Sequence, residues 1–458
     1  MPSLLRKRRK RKKALLESGH GSRRWRPSLA LVVVSASLLT SFREHPALHS
    51  VRHRFAMLAP TATGSHDDVR NQTALSANQA IETTEQQSPS TSSSTQRLCT
   101  SEELRRGEWR PSILDRPPFI PSHSKCYTQE YLKQVTSWTD YRWYPFASHA
   151  YHQQSSSGDS CQFEPQFSNH EFCRVSHNKT IGFFGDSLTW EHFSSLAARF
   201  QIAVGAHDQM RFTTDDGIEH DQQKGMIFDI CHGQSKIAFF RNRYMMYVDH
   251  FLAKYSIDVL VINGGAHYMK DTDLIDGFSN RPNTTGIKWI VKELAKHHQQ
   301  RQGQGQGDSF LTIWRTTSPG HHQCWNFTKP VNNLTQMEEY IQYSKERYPG
   351  KMGQYGWWDF KRQTQLVLQE FQNYNNNQQQ DKKDAKLNFQ IMHGYDVNIL
   401  RPDGHVGTIV NRSQDCLHSC DPGPADVYNI LLLHLLRLEQ DKRGKASIGA
   451  SYTGATYF

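Results

Sequence analysis

From residue 179 onward the apolar positions alternate between two patterns. Residues 179–184 close on Ile181, Phe183 and Phe184 and read as a strand. Residues 187–200 follow with Phe193, Leu196, Ala197 and Phe200 on one helical face. The blocks 226–230, 236–240, 310–314 and 388–393 predict further strands, and Ile-Asp-Val-Leu-Val-Ile at 257–262 is apolar enough for a buried one. Residues 287–298, 338–347, 361–374 and the Leu-rich 425–438 predict helices. Strands alternating with helices predict an α/β fold: a mostly parallel sheet in a three-layer α/β/α arrangement, covered on both faces. Two polar stretches, 299–307 and the Asn/Gln-rich 373–386, interrupt the pattern and read as mobile surface loops.

Upstream the periodicity fades. Residues 99–178 hold four cysteines and the aromatics Trp109, Trp138, Trp143, Phe163 and Phe172, which predicts an irregular, disulfide-stapled lobe rich in Cys and Trp. Residues 82–96 are mostly Thr, Gln and Ser and cannot bury enough apolar surface to fold, so 43–96 reads as a disordered stem. Before it, 27–42 carries no charge and contains Leu29 to Val34, Leu38 and Leu39. A basic segment ahead of such a run predicts a signal anchor, with the tail cytoplasmic and the body luminal. The length also suits a cleaved signal peptide, and a buried helix beside a nuclear-localisation patch is the blander alternative. The expected organisation is therefore a basic tail (1–26), an anchor (27–42), a stem (43–96), a luminal catalytic domain (97–440) and a C-terminal tail (441–458).

Charge and cysteine content support that placement. The net charge is +10, and residues 1–26 alone account for it. A neutral body has no general electrostatic reason to bind phosphate backbones, so no nucleic-acid partner is expected. The eight cysteines contain no CxxC pair, and an even number behind a signal sequence predicts disulfides of unread pairing. Sequons at Asn71, Asn178, Asn283, Asn326, Asn333 and Asn411 are candidate glycosylation sites.

The candidate chemistry lies at strand ends. Gly185-Asp186-Ser187 joins the strand at 179–184 to the following helix, a turn that exposes a nucleophilic hydroxyl at the sheet's C-terminal edge. The helix N-terminus would favour a developing oxyanion. The alternative is that Ser187 is only an N-cap. Asp415 stands three residues before His418, ahead of the last helix; that spacing lets a carboxylate orient an imidazole while Nε2 takes a serine proton. Cys416, His418 and Cys420, with His232, His321 or His322, could instead suggest zinc, but cysteines in an oxidising lumen favour disulfides, and no metal is expected. Asn263, Gly265 and His267 follow the strand at 257–262, where Asn263 could donate to an oxyanion or simply form an Asn-Gly turn. Arg315 and His321 follow the strand at 310–314, with Arg315 either clamping a substrate carbonyl or forming a structural ion pair.

Taken in order, these blocks resemble the trichome-birefringence-like proteins, polysaccharide O-acetyltransferases with a PC-esterase, SGNH/GDSL-like fold. The resemblance runs from Cys99 to Leu438. It rests on Cys99, Gly107, Trp109, Arg142-Trp143, Cys161 and Phe163, and on the Gly-Asp-Ser block. Asn263–His267, Arg315–His321, Leu400–His405 and Gln414–Cys420 continue it, followed by Pro422-Gly423 and Asp426–Asn429. It implies Ser187 as nucleophile, His418 as base and Asp415 as orienter. Gly185, Asp186, Asn263, Gly265, His267, Arg315 and His321 then form the oxyanion and substrate-binding set. It also implies a Golgi type II membrane protein, an acetyl donor as co-substrate, a polysaccharide acceptor and no further cofactor. The chain departs from the family pattern at Trp190-Glu191-His192, at Ala266 before His267, and at Ser419 and Tyr428. An esterase using the same three residues and an inactive glycan-binding protein are the competing readings.

Overall fold

The computed structural model describes residues 97–112, 141–148, 160–202, 204, 225–281, 284–304, 310–348, 356–381, 386–409, 415–419 and 423–452. All belong to Thr91–Phe458, the second of two units, the first being Met1–Ser90. The basic tail, the apolar run at 27–42 and the stem lie outside the described residues. Among the described residues no helix is long and apolar enough to cross a membrane.

The centre is a six-stranded sheet built from β3 (Thr180–Gly185), β4 (Gly225–Ile230), β5 (Ser235–Arg241), β6 (Val259–Asn263), β7 (Leu311–Arg315) and β8 (Phe389–Met392). Its order is β4-β5-β3-β6-β7-β8. Five strands run parallel, and β4 pairs antiparallel with β5 at one edge. Alternate residues of each strand enter different cores, as the two-residue period of a strand requires. Ile181, Phe183, Ile237 and Phe239 face one layer, with α2 (Ser187–Arg199) and the long α10 (Asp426–Tyr452). Phe184, Ala238, Phe240 and Ile262 face the other, with α3 (Val248–Tyr255), α5 (Ile287–Gly303) and α7 (Phe360–Asp381). The three-layer fold expected from the alternation is present.

Both polar stretches read as loops begin as helix. Residues 299–303 extend α5 and 373–381 extend α7. Single polar residues on the inner face hold these extensions. Arg301 donates to Ile257 O at 3.0 Å and to Asp258 Oδ1 at 2.5 Å, and Asn375 exchanges hydrogen bonds with the backbone of Leu387. Likewise α10 runs past residue 440 to Tyr452, so that boundary falls inside a helix.

The lobe ahead of the sheet is more regular than expected. β1 (Gly107–Pro111) pairs antiparallel with β2 (Tyr141–Pro145), Trp109 lies opposite Trp143, and α1 (Asn169–Val175) leads into β3. Trp109 Nε1 donates to Val397 O, and Arg401 stacks over the Trp109 ring at 4.4 Å, which ties the lobe to the domain. Disulfides join Cys99 to Cys161, Cys173 to Cys231 and Cys324 to Cys416. Cys126 and Cys420 lie outside the described residues. Of the sequons, Asn178, Asn326 and Asn333 are described and exposed; Asn333 Oδ1 also caps α6 (Leu334–Arg347). Asn71, Asn283 and Asn411 lie outside.

Candidate active site

β3 ends at Gly185 and α2 begins at Ser187, so one residue makes the strand-to-helix turn. Asp186 is that residue. It is fully buried, and its Oδ1 accepts from Leu188 N–H at 2.9 Å. The N-cap is therefore Asp186, and the hydroxyl of Ser187, at the first helical position, is left for other work. The turn tolerates no side chain at Gly185, where a Cβ would collide with the Asn263 carbonyl oxygen and Thr189 Oγ1. Gly185→Ala should cost about 1–3 kcal/mol, the usual range for overpacking a close-packed core. Chemical denaturation would check this, and a loss below about 0.5 kcal/mol would show that the turn has slack.

The half-buried Ser187 meets the C-terminal part of the chain. His418 Nε2 lies 2.8 Å from Ser187 Oγ, and His418 Nδ1 lies 2.9 Å from Asp415 Oδ1. Asp415 Oδ1 also accepts from the His418 backbone N–H at 3.2 Å, which closes a tight turn between the two. A carboxylate accepts only, so Nδ1 carries a proton and neutral Nε2 is free to accept from the serine hydroxyl. Burial pushes Asp415 up, but its hydrogen bonds with the side chain and backbone of His418 outweigh that and hold the carboxyl below its ordinary value.

The loop carrying Asp415 and His418 is held from behind. Val406 N–H donates to His418 O at 2.9 Å and Gly407 N–H to Asp415 O at 2.7 Å. The Cys324–Cys416 disulfide crosses beneath, and His321 N–H donates to Cys416 O. With its sulfur in that disulfide, Cys416 is no thiolate ligand for a metal. Ser419 N–H donates to Glu191 Oε1, one turn along α2 from Ser187. Asp426 Oδ1 accepts from Ser195 Oγ at 2.9 Å and Asn429 Nδ2 donates to the same hydroxyl, locking α10 onto α2.

Several expected substrate contacts are structural instead. Asn263 is fully buried, and both hydrogens of its amide are engaged, with Arg315 O at 2.8 Å and Thr317 Oγ1 at 3.0 Å. It has no donor left for an oxyanion, and the turn reading fits: Tyr268 N–H closes back on Gly265 O. Gly265 has room for no Cβ, since Thr317 Oγ1 would lie 2.8 Å from it. Among the described residues Arg315 pairs with no carboxylate. It is fully buried, donates to Asn263 Oδ1 at 3.0 Å and lies over the Tyr428 ring at 4.7 Å. Asp186 caps its helix from a fully buried position and presents nothing to a substrate.

His321 is also internal. Its Nε2–H donates to Ile399 O at 2.8 Å, so its Nδ1 accepts from His405 Nε2, 2.6 Å away. Burial holds His321 well below the ordinary histidine value and His405 at about 4, so both rings are neutral near pH 7. His405 was not singled out as a site residue. Its Nδ1 sits 3.3 Å from His418 O, directly behind the loop. His267 shares the electrostatics of the site. Burial lowers it, Asp186 opposes that, and Arg243, Arg241 and His418 add to it.

A mostly parallel sheet with a half-buried serine at its strand-to-helix turn defines an SGNH-like α/β protein. The family PC-Esterase, described as the GDSL/SGNH-like acyl-esterase family found in Pmr5 and Cas1p, matches residues 165–435. That is more than half of the chain, and the protein belongs to this family. It is 23% identical over 350 residues to xyloglucan O-acetyltransferase 4 of Populus trichocarpa, covering 69% of this chain and 75% of that protein. It is 29% identical over 218 residues to protein trichome birefringence-like 18 of Arabidopsis thaliana, covering 42% and 36%. With protein trichome birefringence-like 26 of Arabidopsis thaliana the identity is 24% over 308 residues, covering 59% and 64%.

Proposed function

We propose that this protein is a polysaccharide O-acetyltransferase that works through an acetyl-Ser187 intermediate. The observation that carries the reading is the continuous relay from Asp415 through His418 to Ser187, with contacts of 2.9 and 2.8 Å. Membership of an acyl-esterase family and similarity to a protein named xyloglucan O-acetyltransferase support it. Ser187 Oγ attacks the donor's acetyl carbonyl while His418 Nε2 takes the hydroxyl proton. The first-turn N–H of Ser187 and the positive end of α2 stabilise the oxyanion. The donor's leaving group departs with the proton from His418, leaving acetyl-Ser187. A sugar hydroxyl then gives its proton to His418 and attacks the ester carbonyl; the acetyl group moves to the sugar and Ser187 is regenerated. The relay calls for no metal or other cofactor. Residues 27–42 we read as a signal anchor that places this domain in the Golgi lumen, where glycan acceptors are assembled.

The test incubates the full-length protein, in detergent, with an activated acetyl donor and a panel of oligosaccharides. Acetylated sugar, together with an acetyl adduct on the Ser187 peptide by mass spectrometry, is the expected result. Free acetate without acetylated sugar would replace transfer by hydrolysis on the same residues. An unmodified Ser187 under all donors would overturn the mechanism.

A further inference from the structure

Two arginines beside Ser187 have no part in the relay. Arg241 ends β5 and is the register partner of Gly185, and Asn242 N–H donates to Gly185 O at 2.6 Å. The end of β5 is therefore stitched to the turn that carries Ser187. Along β5, Ile237 and Phe239 face the layer that contains α2, and the ring of Trp190 packs on Phe239 at 5.1 Å. Arg241 is the next residue on that face, beyond Trp190 toward the N-terminus of α2, where Ser187 stands. Arg243 follows two residues later on the exposed rim.

Neither guanidinium makes a hydrogen bond or ion pair with a described residue, and Arg241 is half-buried. A half-buried guanidinium whose five donors meet no acceptor among the described residues is unusual, because partial desolvation costs most for a charge without a partner. The like charge of Arg243 adds to that cost. Burial first, and then Arg243, depress the Arg241 pKa, with Asp186 opposing them. Asp186 compensates only in part: it is fully buried and its Oδ1 is committed to Leu188 N–H. The same pair of arginines acts on His267, which also feels His418. The positive cluster thus shares one electrostatic environment with the proposed catalytic base.

We propose that Arg241 and Arg243 form a subsite that binds an oxyanion group of the substrate, a carboxylate or a phosphate, next to Ser187. Paired guanidiniums match the planar or tetrahedral oxygens of such groups through bidentate, charge-assisted hydrogen bonds. An arriving anion relieves the repulsion between the two arginines. Two sources carry this chemistry: a uronate carboxylate on the acceptor chain, or a phosphate on the acetyl donor. The subsite rests on the proposed acetyl transfer only for the meaning of its position; anion binding itself can be measured without turnover.

The experiment compares the full-length protein with Arg243→Gln and with Arg241→Lys, in two arms. In the first, isothermal titration calorimetry measures binding of a uronate-containing oligosaccharide, of its carboxyl-reduced counterpart, and of acetyl coenzyme A as the phosphate-bearing donor. In the second, kcat/KM is measured for the charged and neutral partner of each pair, with a neutral aryl acetate as the alternative donor. The expected result is that Arg243→Gln lowers the charged-to-neutral ratio about tenfold, the loss of one charge-assisted contact. Arg241→Lys keeps the charge but loses the fork and should fall between. Raising the salt concentration should shrink the wild-type ratio toward that of the variant. A loss confined to the uronate assigns the subsite to the acceptor, and one confined to the phosphate assigns it to the donor. Equal losses for charged and neutral ligands, or no change in any ratio, would overturn the proposal and leave the arginines as compensation for Asp186. If Ser187 is never acetylated, the transferase reading fails while the calorimetric arm still decides the subsite.

Discussion

Replacing Ser187 by Ala should lower kcat by about 10⁴- to 10⁶-fold, the range found when a serine nucleophile is removed from such a relay. The structure predicts almost no cost to the fold. Asp186, not Ser187, caps α2, so the helix keeps its N-terminal hydrogen bond to Leu188 N–H in the variant. Ser187 is half-buried, and His418, the partner of its hydroxyl, keeps about a third of its side chain in solvent, so water can replace the lost contact. A stability change within about 1 kcal/mol is expected on that basis. Carbohydrate binding should survive, because nothing but the attacking atom is removed. The measurement is steady-state transfer by wild type and variant, with thermal denaturation and acceptor binding alongside. Transfer reduced less than about tenfold would mean that Ser187 Oγ is not the nucleophile. Lost activity with an equally lost fold would assign the residue a structural part instead.

How far the site could be read beforehand varies from residue to residue for physical reasons. The switch from a strand pattern to a helical one at 185–187 is a local signal, and the structure has that strand-to-helix turn at those residues. Asp415 and His418 are three apart, so their mutual geometry is also local; that they reach Ser187 follows once both sit at one sheet edge. The sheet itself was legible because each strand is an apolar run of its own. Asn263 and Arg315 stayed between two readings because residue type gives the available donors and acceptors but not whether a partner elsewhere consumes them. Each consumes the other: Arg315 O and Nη2 bind the two ends of the Asn263 amide across β6 and β7. The polar ends of α5 and α7 carry no apolar periodicity. They stay helical through single inward residues, Arg301 and Asn375, that a pattern of hydrophobicity does not register. Disulfide pairing and the His321–His405 contact join residues more than fifty positions apart and leave no mark on local sequence.

The second large effect is acid sensitivity from buried histidines. His405 and His434 are each held at about 4, in both cases first by burial, against an ordinary value of 6.5. Around His405 stand the His418 carbonyl and Asp415, which favour the charged ring, and the His418 ring and Arg401, which oppose it. A histidine kept neutral by the fold takes up a proton more readily when unfolded. Its contribution is therefore complete above pH 6.5 and is lost as pH falls toward 4. Each such group gives a slope of at most about 1.4 kcal/mol per pH unit, so the two together remove up to about 4 kcal/mol between pH 6.5 and 5. His321 and His192, lowered further still, and His297, held at about 4, all first by burial, add in the same direction. The carboxylates act in another window. Glu103, held at about 2 chiefly by its hydrogen bond with Arg97, still contributes at pH 5 and loses that contribution only below the ordinary carboxylate range. Urea denaturation from pH 7.5 to 5 should thus show stability falling steadily, and His405→Gln, which keeps a donor toward His321, should flatten the slope by about a fifth, one of five such groups. The loss bears on the site because protonation of His405 and His321 sets two positive rings 2.6 Å apart behind the loop that holds Asp415 and His418. Transfer activity should decline over the same pH interval as stability. A stability curve that stays level from pH 7 to 5 would mean that these rings are hydrated or charged in the native protein, and that the loop is held by its backbone bonds and the Cys324–Cys416 bridge alone.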